Sequence, residues 1–235
     1  MKFTFDYIEN EYRIVKDLGY EFITCLQYID WKKSYSPQKV VVNRVDIDFS
    51  IKKTKNLLEI FDRLKIKATF FLRLHAPEYN PFSFENYKII KQLIESGHEV
   101  GYHSEVIDQA AIWNEDSVKC LMRDIEIINN IFGISIKGVA SHGGMTGLNN
   151  LDFWKDKKAK QFGLSYEAYD KEPEFNLFQE SFYVSDSEWT RWKCYDKGKF
   201  IEGDRRSLSE HAKDEHKVLH FLIHPDTYYN QHFYE

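Results

Sequence analysis

Asp46 and Asp48 stand two residues apart at the end of an apolar run that begins near Lys39. On a strand, alternate residues leave the same face, so the two carboxylates can share one small site. Four more apolar runs end in similar residues. One ends in His103-Ser104-Glu105, one in Ser141-His142-Gly143-Gly144, one near Asp186, and the last in His224-Pro225. An aspartate after a strand is often only the N-cap of the next helix, and a lone histidine is more often core than ligand. Five run ends that all deliver these types are harder to explain as capping. Aspartate oxygen and histidine nitrogen together suit Zn²⁺, or Co²⁺, Mn²⁺ or Ni²⁺. A divalent ion with an open position acidifies water and polarises a carbonyl. A free carboxylate beside it can take the water's proton, and a histidine opposite can protonate a leaving group. One aspartate of the pair can bind the ion while the other, near the cation, stays ionised as a base.

These residues need a frame that gathers run ends. Val40, Val41, Val42 and Val45 make 39–48 a strand. Ser50 is the expected cap of a helix carrying Leu57, Leu58, Phe61 and Leu64. Strands are expected at 68–72, 98–103, 134–140, 164–168, 182–184 and 218–223. Helices are expected around Tyr87–Ile94, closed by Gly97, and from Val118 to Phe132, with Met122 on the apolar face. A further helix is expected over Trp154–Phe162. Such alternation implies parallel strands with right-handed crossovers and a site at their carboxyl ends. Before it, 1–39 reads as a helical prelude: a helix from Tyr7 to Leu18, then a short extended piece over 20–26. The whole, 1–235, reads as one domain with its barrel core at 40–230.

In order and spacing the run ends resemble the polysaccharide deacetylase superfamily, the NodB-homology or carbohydrate esterase family 4 proteins. The closer resemblance is to divergent members associated with surface-polysaccharide biosynthesis. It covers about residues 38 to 230 and rests on Val45-Asp46-Ile47-Asp48, Lys67–Phe71, Ser96–His103 and Leu222-Ile223-His224-Pro225. It implies a distorted (β/α)7 barrel and metal-dependent hydrolysis of an N-acetyl group on a sugar. It also implies roles: Asp46 as general base, Asp48 and His103 as metal ligands, His224 as general acid. Three positions depart from the pattern. Ile107 replaces the second histidine of the family's second motif, so the third ligand falls to His142, to Glu105 or to water; His142 is slightly favoured. His98 reads as a structural strand start. No arginine occupies the third motif, and Arg44, two residues before Asp46, or Arg191 is expected to tether the base. Val45 stands where the divergent members carry histidine.

Composition narrows the partners. The chain is 43% hydrophobic and 29% charged, with a net charge of -5, so no general attraction to nucleic acid is expected. No apolar run is long enough to span a bilayer. The opening ten residues turn acidic, unlike a secretory leader, and the expected location is cytoplasmic. Cys25, Cys120 and Cys194 form no CxxC pair and read as reduced core residues. The expected cofactor is a divalent metal, zinc first. The expected partner is an acetylated sugar, nucleotide-sugar or glycan intermediate. Trp113, Trp189 and Trp192 are candidates to stack on a sugar. Two alternatives stand beside this reading: an Asp-x-Asp glycosyltransferase, and a catalytically inactive glycan-binding protein on the same barrel.

Overall fold

A computed structural model describes residues 3–231. In chain order its elements are α1 Phe5–Asp17, β1 Glu21–Ile23, α2 Cys25–Lys33, β2 Val40–Ile47, α3 Thr54–Leu64, β3 Thr69–Leu72, α4 Phe84–Glu95 and β4 Glu99–Ser104. Then follow α5 Val106–Trp113, α6 Ser117–Phe132, β5 Gly138–Ser141, β6 Tyr166–Glu167, α7 Leu177–Glu180, β7 Phe182–Ser185, β8 Lys193–Asp196, β9 Lys199–Phe200, α8 Leu208–Ala212 and β10 Val218–Ile223. Parallel pairing joins β6-β5-β4-β3-β2-β10-β7, the staves of a distorted (β/α)7 barrel. Among the described residues no ladder joins β6 to β7. Aromatic rings stand there instead, Phe178 packing against both Tyr169 and Tyr183.

Strand β2 shows why the barrel has two cores. All eight of its residues are buried. The pleat sends Val41, Val45 and Ile47 outward into the layer between sheet and helices. It sends Val40 and Val42 inward to a separate apolar floor with Phe71, Ala140 and Tyr166. Arg44, Asp46 and Asp48 continue that inward face above the floor, so the charged groups sit on packed hydrocarbon. Strand β10 repeats the scheme, with Leu219, Phe221 and Ile223 outward and His220, Leu222 and His224 on the other face.

The prelude is more than a helix. Strand β1 pairs in parallel with the lower half of β2, along the edge that β3 takes over higher up. The capping box of Thr24 and Gln27 starts α2, which closes the floor. Its Leu26 amide donates to Glu99, whose carboxylate also accepts from Thr69 Oγ1 and Tyr166 Oη. Four other expectations change. Ser50 accepts from Lys53 in a turn ahead of α3 rather than capping the helix. The segment expected as a helix at 154–162 is two 3-10 turns, Asn150–Lys155 and Ala159–Phe162, and Met122 of α6 is exposed. Strands β8 and β9 run antiparallel, a hairpin turned by Lys197 and Gly198 at positive φ, so the alternation is not parallel throughout.

Candidate metal centre and active site

The carboxyl ends of the parallel strands surround a cavity of about 350 Å³. Asp46, Asp48, His103, His142 and His224 all line it, and so does Arg44. Arg44 grips Asp46 through two bonds, Nε to Oδ1 at 2.8 Å and Nη2 to Oδ2 at 2.7 Å. Its guanidinium lies between the rings of Phe71 and Tyr169, at 5.3 and 5.0 Å. Burial alone would raise the Asp46 carboxyl, but Arg44, with His103 and His224, outweighs it and holds the group below the usual carboxylate range. Arg191 lies elsewhere, exposed and paired with Glu188.

His103 lends its Nδ1 proton to Ala140 O at 2.9 Å, which leaves the Nε2 lone pair facing the cavity. That nitrogen stands 3.3 Å from Asp46 Oδ2 and 3.3 Å from Asp48 Oδ1. His142 Nε2 lies 4.0 Å from the same Asp48 oxygen. Asp48 Oδ1, His103 and His142 therefore offer ligand atoms within 4.8 Å of one another. Asp48 Oδ1 is buried without a hydrogen-bond donor. Acceptors converging on a buried oxygen that no donor serves fit a cation, and the mixed nitrogen and oxygen set suits a divalent metal. Burial disfavours the charged His103 ring, but the Asp46 and Asp48 carboxylates outweigh it and raise the imidazole above its ordinary value.

Glu105 lies outside the group of ligand atoms that Asp48, His103 and His142 form. Expected one pleat from His103, it is instead the residue between β4 and α5. Its Oε1 accepts from Arg73 Nη2 at 2.8 Å and faces His142 Nδ1 at 3.4 Å. Arg73 also donates to Asp48 O. Ile107 packs against the outer core. His98 is buried, and its Nδ1 accepts the Ala68 amide.

Across the cavity, His224 is anchored twice by Asp186. Its Nδ1 is 2.6 Å from Oδ1, and its backbone amide donates to Oδ2 at 2.9 Å. Burial disfavours the charged ring, but the carboxylates of Asp186, Asp48 and Asp46, Asp186 foremost, outweigh it and lift the imidazole to about 9. His224 Nε2 is 3.7 Å from Asp48 Oδ2. Trp189 covers His224 at 5.6 Å between ring centres, from a backbone with φ of 63°. Of the other two tryptophans expected to stack on a sugar, Trp192 is buried in the outer core and Trp113 packs on His75 and Arg123. Sequence reasoning placed Asp186 on the rim without a role and passed over Arg73. Arg73 directly follows β3, so the rule that found the other strand ends reaches it too.

A second cluster, Cys194, Asp204 and His211, lies behind β8. Its groups serve one another: the Cys194 thiol meets His211 Nε2, and Arg206 binds both oxygens of Asp204. The three cysteines are free and buried. Among the described residues, no helix is long and apolar enough to cross a membrane.

No curated protein matches the chain. Among solved structures, a CE4 esterase from Streptococcus mutans is similar at 15% identity and TM-score 0.53, over 87% of this chain and 80% of that one. A polysaccharide deacetylase from Bacillus cereus is 21% identical, with TM-score 0.49 over 80% of each chain. A CE4 family pseudoenzyme from Bacillus anthracis is 16% identical, with TM-score 0.46 over 80% of this chain. The chain spans 56% of that protein, and 57% of a mutant of it with restored enzymatic activity. The first of these likenesses supports the barrel fold. The family described as polysaccharide deacetylase matches residues 33–165, more than half of the sequence. The chain belongs to the polysaccharide deacetylase family.

Proposed function

We propose that this protein is a divalent-metal-dependent deacetylase that removes an N-acetyl group from a sugar or glycan intermediate of surface-polysaccharide assembly. The observation that carries the reading is the opposition of two groups across the acceptor cluster. Arg44 keeps Asp46 ionised on one side, and Asp186 keeps His224 protonated on the other. Asp48, His103 and His142 would hold the ion, which we take to be zinc from the two nitrogens and one oxygen on offer. A bound ion would polarise the acetyl carbonyl and acidify water.

The side chains divide the proton work. Asp46 accepts the proton of the attacking water at Oδ2, the oxygen turned toward His103. His224 donates from Nε2 to the departing amine, while Asp186 holds Nδ1 and fixes the ring. Trp189, Tyr169 and Tyr195 give the cavity aromatic walls suited to a sugar ring.

The test strips the purified chain with chelator and reloads it with Zn²⁺, Co²⁺, Mn²⁺ or Ni²⁺. Acetylated sugar nucleotides and chitooligosaccharides are then supplied. Metal-dependent acetate release that Asp46→Asn abolishes supports the reading. Loss of sugar nucleotide without acetate would point to transfer instead. Glycan binding without turnover under every metal would point to an inactive binding protein.

A further inference from the structure

His142 leaves β5 at the start of a loop that contains Gly143, Gly144 and Gly147. Glycine-rich backbone has many conformations to lose, so a ligand carried there needs an external hold. One buried carboxylate supplies it. Asp108, in the first turn of α5, accepts from Met145 N at 3.0 Å, Thr146 N at 3.0 Å, Thr146 Oγ1 at 2.7 Å and Asn150 Nδ2 at 2.7 Å. Asn150 is fully buried and ties the other end. Its Nδ2 reaches His142 O at 3.2 Å, and its Oδ1 accepts the amides of Ile107 and Asp108. Within the loop, a Cβ on Gly144 would sit 1.6 Å from Leu148 O, so the turn closes only on glycine. Asp108 does not line the cavity. Burial would raise its carboxyl, but the bonds from Thr146 and Asn150 outweigh that and hold it below the usual range. As an anion it matches four donors; an amide in its place would turn N–H groups against N–H groups.

We propose that Asp108, acting through the loop and Asn150, is a positioning residue that fixes His142 within the ligand cluster. The proposal rests on the reading of Asp48, His103 and His142 as ligands. Helix α5 carries Ile107 where a family ligand is expected. One residue later it carries the group that holds a ligand from another strand.

Zinc affinity of the chelator-stripped full chain, measured by competition with a chromophoric chelator, tests this in a double-mutant cycle. Asp108→Ala and His142→Ala are each expected to weaken zinc binding by about 10- to 100-fold. The double variant is expected to bind as His142→Ala does, because Asp108 has nothing left to position. Wild-type affinity in Asp108→Ala would overturn the proposal. So would a double variant weakened by the product of the two factors, since Asp108 would then act on the whole fold. If Asp108→Ala does not fold, Thr146→Val removes a single bond and runs through the same cycle with the same two criteria. A wild-type chain that binds no zinc, or a His142→Ala chain that binds it as wild type does, fails the ligand reading itself and the proposal with it.

Discussion

Replacing Arg44 by methionine leaves the Asp46 carboxylate buried without its partner. The wild-type pair is 1% and 3% exposed, makes two charge-assisted bonds, and is flanked by the rings of Phe71 and Tyr169. Breaking such a pair from one side costs about 3–5 kcal/mol, because the remaining charge stays in a low-dielectric site. Asp46→Asn in the same chain removes that charge and leaves an under-bonded amide, a penalty of about 1–3 kcal/mol. The double variant should therefore be more stable than Arg44→Met by about 2 kcal/mol, although it lacks both members of the pair. Urea unfolding at pH 7 in the presence of chelator measures both differences without contribution from metal binding. At this chain length each kcal/mol moves the melting temperature by about 2–4 °C, so Arg44→Met should melt about 6–20 °C early. A single variant within about 1 kcal/mol of wild type, or a double no more stable than the single, would refute the argument that Asp46 is an ion held in place by Arg44.

Three further outcomes follow. His224→Gln should lower kcat by about 10²- to 10⁴-fold, the usual worth of a positioned general acid, with zinc content unchanged; an unaltered kcat would remove His224 from the reaction. Burial lowers His98 to about 4 against about 6.5 unfolded, so protons favour the unfolded chain as pH falls through that window. Between pH 7 and pH 5 the native state should lose about 2 kcal/mol from this group, and urea midpoints of His98→Asn should lack that part of the slope. Gly138→Ala places a Cβ 2.1 Å from Tyr166 Cζ and should cost about 1–3 kcal/mol by thermal unfolding, since the ring is buried and bonded to Glu99; a neutral result would mean the floor can repack.

What could be read from the sequence follows from how local each signal is. Strands β2 and β10 were legible almost to the residue because β-branched and large apolar residues crowd both, Val40, Val41, Val42, Val45 and Ile47 in one and Leu219, Phe221, Leu222 and Ile223 in the other. The strand-end rule then found Asp46, Asp48, His103, His142 and His224. Helix α5 was missed because it starts directly after β4, with Glu105 making no side-chain cap. Helix α2 was also missed, though its Thr24–Gln27 capping box was there to read. The antiparallel β8–β9 hairpin carried a short signal too, the turn at Lys197-Gly198.

The third ligand was not decidable by such rules. Glu105 and His142 both follow strand ends, and their chemistry allows either. Arg73, 32 residues before Glu105, makes their surroundings differ: it engages Glu105 Oε1, while His142 Nε2 faces Asp48, and the proposed reading takes His142 as the ligand for that reason. On the proposed reading, a loop stands in for a helix as the platform of that ligand. Glu105 faces the Nδ1 side of His142, and Asp108 and Asn150 hold its backbone, so α5 controls both the ring and its position. Position 107 is then free to be apolar, and Ile107 packs into the outer core. The departure at 107 and the network at 105, 108 and 150 thus form one structural solution.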